Sequence, residues 1–89
     1  MSNSQKLEEL LESSRGWYER GLLSPAELLV REAIAMAPER ADAHHLLGEI
    51  CLSLGMAEQA VKSFEMSLHF NAGLDNSKEN LKKAQKLPT

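Results

Sequence analysis

Residues 41–74 read ADAHHLLGEICLSLGMAEQAVKSFEMSLHFNAGL. Within them Leu47-Gly48 is followed seven residues later by Gly55, and then by Ala60, Phe64, Leu68 and Ala72. Apolar residues recur at helical spacing on both sides of Gly55, so the stretch reads as two helices joined by a tight turn. A weaker copy lies 34 residues upstream, in Gly21, Ala26, Val30, Ala33, Ile34 and Pro38. Self-similarity at that period marks a helical solenoid, in which one hairpin buries only a stripe and a stacked neighbour must cover the rest.

Working outward from this stretch, five helices are expected. The first runs from about Ser4 to Arg20, with Leu7, Leu10, Leu11, Ser14, Trp17 and Tyr18 on one stripe. Gly21 is placed to end it in a left-handed conformation. Gly16 weakens this helix by about 1 kcal/mol relative to Ala, either to admit another backbone or by simple tolerance. The second helix opens on Ser24-Pro25-Ala26-Glu27, the spacing of an N-cap serine, a first-turn proline and a capping-box glutamate. Leu28, Leu29, Val30, Ala33, Ile34 and Ala37 give its apolar face, and Pro38 stops it.

The third helix is expected over Asp42–Leu54, with Ala43, Leu46, Leu47, Ile50, Cys51 and Leu54 inward and Gly55 at its end. The fourth spans Met56–Phe70 through Ala57, Ala60, Val61, Phe64, Ser67 and Leu68, and Asn71-Ala72-Gly73 closes it. The fifth spans Asn76–Lys86, with capping-box spacing between Asn76 and Glu79, a narrow apolar face at Leu81, Ala84 and Leu87, and Pro88 as its stop. Gly48 and Ala60 fall where the two helices of a hairpin cross, so nothing larger than a methyl is expected there. Phe64 is expected to fill the space between that hairpin and the next helix. The short loops make consecutive helices antiparallel.

With 89 residues, 43% apolar and 4% aromatic, the chain has one small domain whose core must be built from Leu, Ala, Met, Val and Ile. A net charge of −3 argues against nucleic acid as a partner, since phosphate binding needs a positive field. Charge is uneven. Residues 41–70 set Lys62 alone against Asp42, Glu49, Glu58 and Glu65, whereas the fifth helix carries Lys78, Lys82, Lys83 and Lys86. No aromatic accompanies those lysines to stack on bases. The single cysteine, Cys51, lies among Ile50, Leu52 and Leu54 and reads as a small core hydrophobe. No secretory pattern follows Met1, and no apolar run reaches the roughly 18 residues of a membrane span, so a cytoplasmic chain with no membrane partner is expected.

The spacing of Leu47, Gly48, Gly55, Ala60, Phe64 and Leu68 resembles the tetratricopeptide repeat. The unit Ala41–Leu74 departs from it at His44, Cys51, Ser67 and Ala72, where that family favours Trp, Tyr, Ala and Pro. The unit Leu7–Arg40 matches at Gly21, Ala26, Ala33 and Pro38. It has Leu10, Ser13-Ser14, Trp17 and Val30 in place of Trp, Leu-Gly, Tyr and Phe. The fifth helix matches only at Leu81 and would be the solvating end helix. The resemblance implies an all-α fold, a right-handed superhelical helix-turn-helix repeat (an α–α solenoid) of about five antiparallel helices. Residues 1–89 then form one domain, with repeat one at 7–40, repeat two at 41–74 and a capping helix at 75–87.

The resemblance further implies a non-catalytic protein-interaction module that grips a peptide or helix of a partner protein in a concave groove. The first helix of each pair would line it. That assigns Glu8, Leu11, Arg15 and Tyr18, then Asp42, His45, Glu49, Leu52 and Ser53, and finally Asn76, Glu79 and Lys83. Members that clamp the C-terminal carboxylate of chaperones use Lys, Asn and Arg at positions held here by Leu11, Arg15, Leu46, Asn76 and Asn80. Only Arg15 could assist, so no carboxylate clamp is expected.

The alternative is a self-assembly module. Two repeats fall short of the roughly three normally needed for independent stability, and Leu7, Leu10 and Trp17 would form an open edge that a homodimer could cover. His44 and His45 are adjacent and point about 100° apart on a helix, and only Glu49 stands at a useful spacing from His45, so no metal site is expected. No nucleophile–base constellation and no glycine-rich phosphate loop is present. An enzyme and a cofactor are therefore not expected.

Overall fold

The computed structural model describes residues 2–87 and consists of five helices: α1 Asn3–Glu19, α2 Leu23–Met36, α3 Ala41–Ser53, α4 Ala57–Phe70 and α5 Asp75–Gln85. The bounds follow the expected ones to within one residue at nearly every end. Pro88, expected to stop α5, lies outside the described residues.

The two interhelical turns of the hairpins are built alike. Gly21 has φ 78° and Gly55 has φ 75°, the left-handed region that an L side chain resists. Behind each glycine the chain closes on the preceding helix. The Leu22 amide donates to Trp17 O at 2.9 Å, and the Met56 amide donates to Cys51 O at 2.9 Å. Helix α2 therefore begins at Leu23 and α4 at Ala57, two residues after their glycines. This overturns the expected cap at Ser24. The N-cap of α2 is Leu22, no side chain caps it, and Ser24 sits exposed in the first turn. Pro25 is tolerated there because first-turn amides have no intrahelical acceptor. The expected capping box of α5 is likewise absent: its N-cap is Leu74, and Asn76 lies inside the helix. Its entry is set by the loop, where Asn71 Oδ1 accepts from the Gly73 amide at 3.1 Å and the Leu74 amide donates to Asn71 O at 3.2 Å. The only side-chain cap found at these five helix starts is one the spacing did not reveal, Ser2, whose Oγ accepts from the Gln5 amide at 3.2 Å.

The core runs through the middle of the molecule. Leu7, Leu11, Ala26, Val30, Ala33, Leu46, Ile50, Cys51, Ala60, Phe64 and Ala84 are buried and form one cluster, with Trp17, Tyr18, Leu52 and Leu81 packed against it. At the crossing of α3 and α4 a Cβ added to Gly48 would stand 2.6–2.8 Å from the Phe64 ring. The sequence reading allowed a methyl there; the structure does not, because the fully buried ring lies directly over Gly48. One repeat earlier the same places hold Ser14 and Val30, and the smaller valine leaves room for a hydroxyl that donates to Ala26 O at 2.7 Å. A Cβ at Gly16 would meet nothing within 4 Å, so that glycine reflects tolerance and not close packing. Leu28, expected on the inner face of α2, is 65% exposed instead.

Each hairpin packs within itself, and α3 also packs on α2, as α5 does on α4. The two rows of helices differ. The backbones of α1 and α3, and of α3 and α5, come within 8 Å of each other, whereas those of α2 and α4 do not. A stack whose inner row is in contact and whose outer row is splayed is curved, with α1, α3 and α5 on the concave side. A helix closing onto α5 as α4 closes onto α3 would meet Lys82 at the place of Gly48. Among the described residues no helix is long and apolar enough to cross a membrane.

Candidate partner groove

The expected groove residues lie on α1, α3 and α5, and they are found in different conditions. Glu8 and Asp42 are tied up. Arg40, at the N-terminal edge of α3, donates from Nη1 to Glu8 Oε2 at 2.6 Å, from Nε to Asp42 Oδ1 at 3.0 Å and from Nη2 to Asp42 Oδ2 at 2.8 Å. This fork joins α1 to α3 through equivalent acids 34 residues apart. The bonds from Arg40 hold the Asp42 carboxyl below its usual range, and those to Asp42 and then Glu8 hold the guanidinium above its own. Sequence reading missed Arg40. The signal was present in two acids at matching repeat positions with a cation just before the second.

Leu11 is not a groove residue. It is 7% exposed and belongs to the core, because Leu7, Leu11 and Ser14 follow the i, i+4, i+7 stripe that α1 turns inward. Leu46, another of the positions compared with the carboxylate clamp, is fully buried.

His45 and Glu49 form the middle of the floor. His45 is half-buried, meets the Phe64 ring edge-on at 5.6 Å, and lies 2.6 Å from Ser77 Oγ through Nδ1 and 3.4 Å from Glu49 Oε1 through Nε2. Ser77 in turn pairs with Ser67 at 2.8 Å, and both serines are fully buried. This chain of polar groups ties α3, α4 and α5 together beneath the groove. The spacing places Ser67 on the inward stripe of α4, but nothing in the sequence marks Ser77 as its partner. His44 is used structurally, with Nε2 2.6 Å from Pro38 O and its ring stacked on Phe70 at 5.6 Å. No group of three His, Cys, Asp or Glu suited to a metal occurs among the described residues.

The remaining positions are open. Arg15, Ser53, Asn76, Glu79 and Lys83 are exposed, and Tyr18 and Leu52 are half-buried with their inner sides against the core. The candidate surface is therefore a hydrogen-bonded floor with two apolar steps, and it carries one cation from α1 and one from α5. Of the edge expected to favour a homodimer, Leu7 is buried at 9% exposure, and Arg20 lies over the half-buried Trp17 ring at 5.1 Å. The edge is narrower than expected because α1 turns Leu7 into the core. The large apolar side chains that do stand out are Leu22, Leu28, Met36, Leu54, Met66 and Phe70, spread over turns and outer helices.

Against known structures, this helical arrangement superposes on the first TPR of Spaghetti (RPAP3) bound to the HSP90 peptide SRMEEVD, with a TM-score of 0.84. The fold is that of a tetratricopeptide repeat domain. Sequence identity is 18%, and the alignment covers 86% of this chain and 61% of the other, so this chain spans about three-fifths of that domain's length. No family profile matches the sequence, and no curated protein matches it. At this identity the tetratricopeptide-type likeness speaks for the fold and leaves the partner to be argued from the surface.

Proposed function

We propose that this chain is a non-catalytic protein-interaction module whose concave row receives a peptide or helix of a partner protein. The observation that carries the reading is the α1–α3–α5 surface. Tyr18 and Leu52 stand half-open between Arg15 and Lys83, on a floor held by the Arg40 fork and the His45–Ser77–Ser67 chain. A floor fixed in advance reduces the ordering cost of binding. Aromatic and apolar steps supply buried area, and flanking charges set orientation. The structural neighbour's bound peptide supports a groove of this kind in general.

The peptide itself is not carried over. Leu11 and Leu46 are apolar and buried where a carboxylate clamp places polar donors, so SRMEEVD is expected to bind weakly or not at all. The test begins with peptides selected from a random library on the wild-type domain. Their binding is then measured on Arg15→Glu/Tyr18→Ala/Glu49→Lys and on a control, Glu32→Lys/Met66→Ala, in the outer helices. Loss of at least tenfold in the first variant, with unchanged melting, supports the groove. Equal loss in both, or none in either, would count against it.

A further inference from the structure

The outer helices splay, and the gap between them is lined by four polar side chains around one leucine. A recess of about 200 Å³ lies there, formed by Arg31 of α2, Leu47 of α3, and Gln59, Lys62 and Ser63 of α4. The three α4 residues fall at i, i+3 and i+4 and so share one face of that helix. Leu47 and Ser63, each 7% exposed, make the floor, while Arg31, Gln59 and Lys62 make the exposed walls. The Ser63 hydroxyl takes part in none of the side-chain hydrogen bonds among the described residues. No buried side-chain polar atom is orphaned there, so this hydroxyl opens into the recess.

The cations are placed to face an incoming anion. Glu27 Oε2 takes Arg31 Nε at 3.0 Å and Nη2 at 2.9 Å, which fixes the guanidinium plane and leaves Nη1 uncommitted. Lys62 has no carboxylate within ion-pair distance among the described residues. Arg31 and Lys62 thus place two cations on the lining against Glu27 as the paired acid, with Glu58 and Glu65 at i−4 and i+3 from Lys62 on α4. The fold does not require this lining. One repeat earlier the places of Gln59, Lys62 and Ser63 hold Pro25, Leu28 and Leu29. A serine whose hydroxyl stays open to the recess stands where the earlier repeat carries leucine.

We propose that this outer cleft binds a compact oxyanion, a carboxylate or a phosphate, through Arg31 and Lys62 with hydrogen bonds from Gln59 and Ser63. Two cations supply the attraction, and the neutral donors on the floor and wall select a small ligand with several acceptor oxygens. The site lies on the opposite side of the molecule from the groove and does not depend on it.

Amide chemical shifts of the isotope-labelled domain, followed during titration with inorganic phosphate and separately with acetate at constant ionic strength and pH, test this. Saturable changes are expected at residues 31, 47, 59, 62 and 63, with millimolar affinity. Lys62→Gln and Arg31→Gln should each weaken them fivefold or more, whereas Lys83→Gln should not. Saturation by phosphate alone assigns the cleft to phosphate, and saturation by acetate as well assigns it to carboxylates generally. Changes that do not saturate, that spread evenly over the lysines, or that survive in Lys62→Gln would overturn the proposal.

Discussion

Gly48 and Ser14 hold the same place in the two hairpins, and each is matched to the residue that faces it 16 positions on, Phe64 in one case and Val30 in the other. That match makes the consequences of small changes calculable. Gly48→Ala gains helix propensity of about 1 kcal/mol but drives a methyl to 2.6 Å from a ring that is fully buried and has nowhere to go. Overpacking of this kind costs about 1–3 kcal/mol, so the variant should melt lower than wild type in a thermal scan. Gly16→Ala carries the same helix gain with open space around the new methyl, and should melt higher, by about 0.5–1 kcal/mol of added stability. If Gly48→Ala melted as high as wild type or higher, the packing account of Gly48 would fail. At this scale the sequence told which positions had to be small. It did not tell how small, because that depends on where the Phe64 ring comes to rest. Leu11 shows the same limit: periodicity put it on the apolar stripe of α1, the resemblance implied a groove position, and the rotation of α1 decided for the core.

At the scale of elements, helix number, order and bounds were legible because Gly21 and Gly55 must occupy left-handed backbone and because the apolar stripes keep a helical period. Helix starts were less legible. Ser24 and Asn76 had capping spacing, yet the turns before them begin the helices earlier by tying Leu22 to Trp17 and Leu74 to Asn71. Local capping chemistry yielded to a turn fixed by tertiary packing. The attachment of α5 was the least visible feature, since a buried Ser67–Ser77–His45 chain has no sequence signature. Ser77→Ala would leave the Ser67 hydroxyl and His45 Nδ1 short of a partner, at a cost of about 1–3 kcal/mol. We expect the loss to appear as faster amide hydrogen exchange in α5, with α1 and α2 unchanged. Uniform acceleration along the whole chain would show instead that α5 unfolds with the rest and that the chain of serines has no local role.

At the scale of the whole molecule, curvature follows from one contrast: the backbones of the inner helices approach each other closely and those of the outer ones do not. The Arg40 fork sits at the N-terminal edge of that inner row and joins the two repeats. Its effect on stability has a definite sign. Asp42 titrates lower in the folded chain than in the unfolded one, so the stability it contributes is complete above its unfolded value of about 3.9 and is lost as pH falls through the lower folded value. Because Asp42 is 51% exposed, solvent and salt make this contribution modest. Asp42→Asn should therefore flatten the acid limb of the stability profile below pH about 4 and leave the profile near pH 7 with the same slope. A variant whose acid limb is as steep as that of wild type would show that the fork adds nothing. The most direct test of the central claim, that the concave row is the partner surface, is a map of backbone amide shifts on the labelled domain saturated with a library-selected peptide. We predict that the largest changes fall on α1, α3 and α5 around Arg15, Tyr18, Leu52 and Lys83. Changes concentrated on the outer faces of α2 and α4, with that row silent, would contradict it.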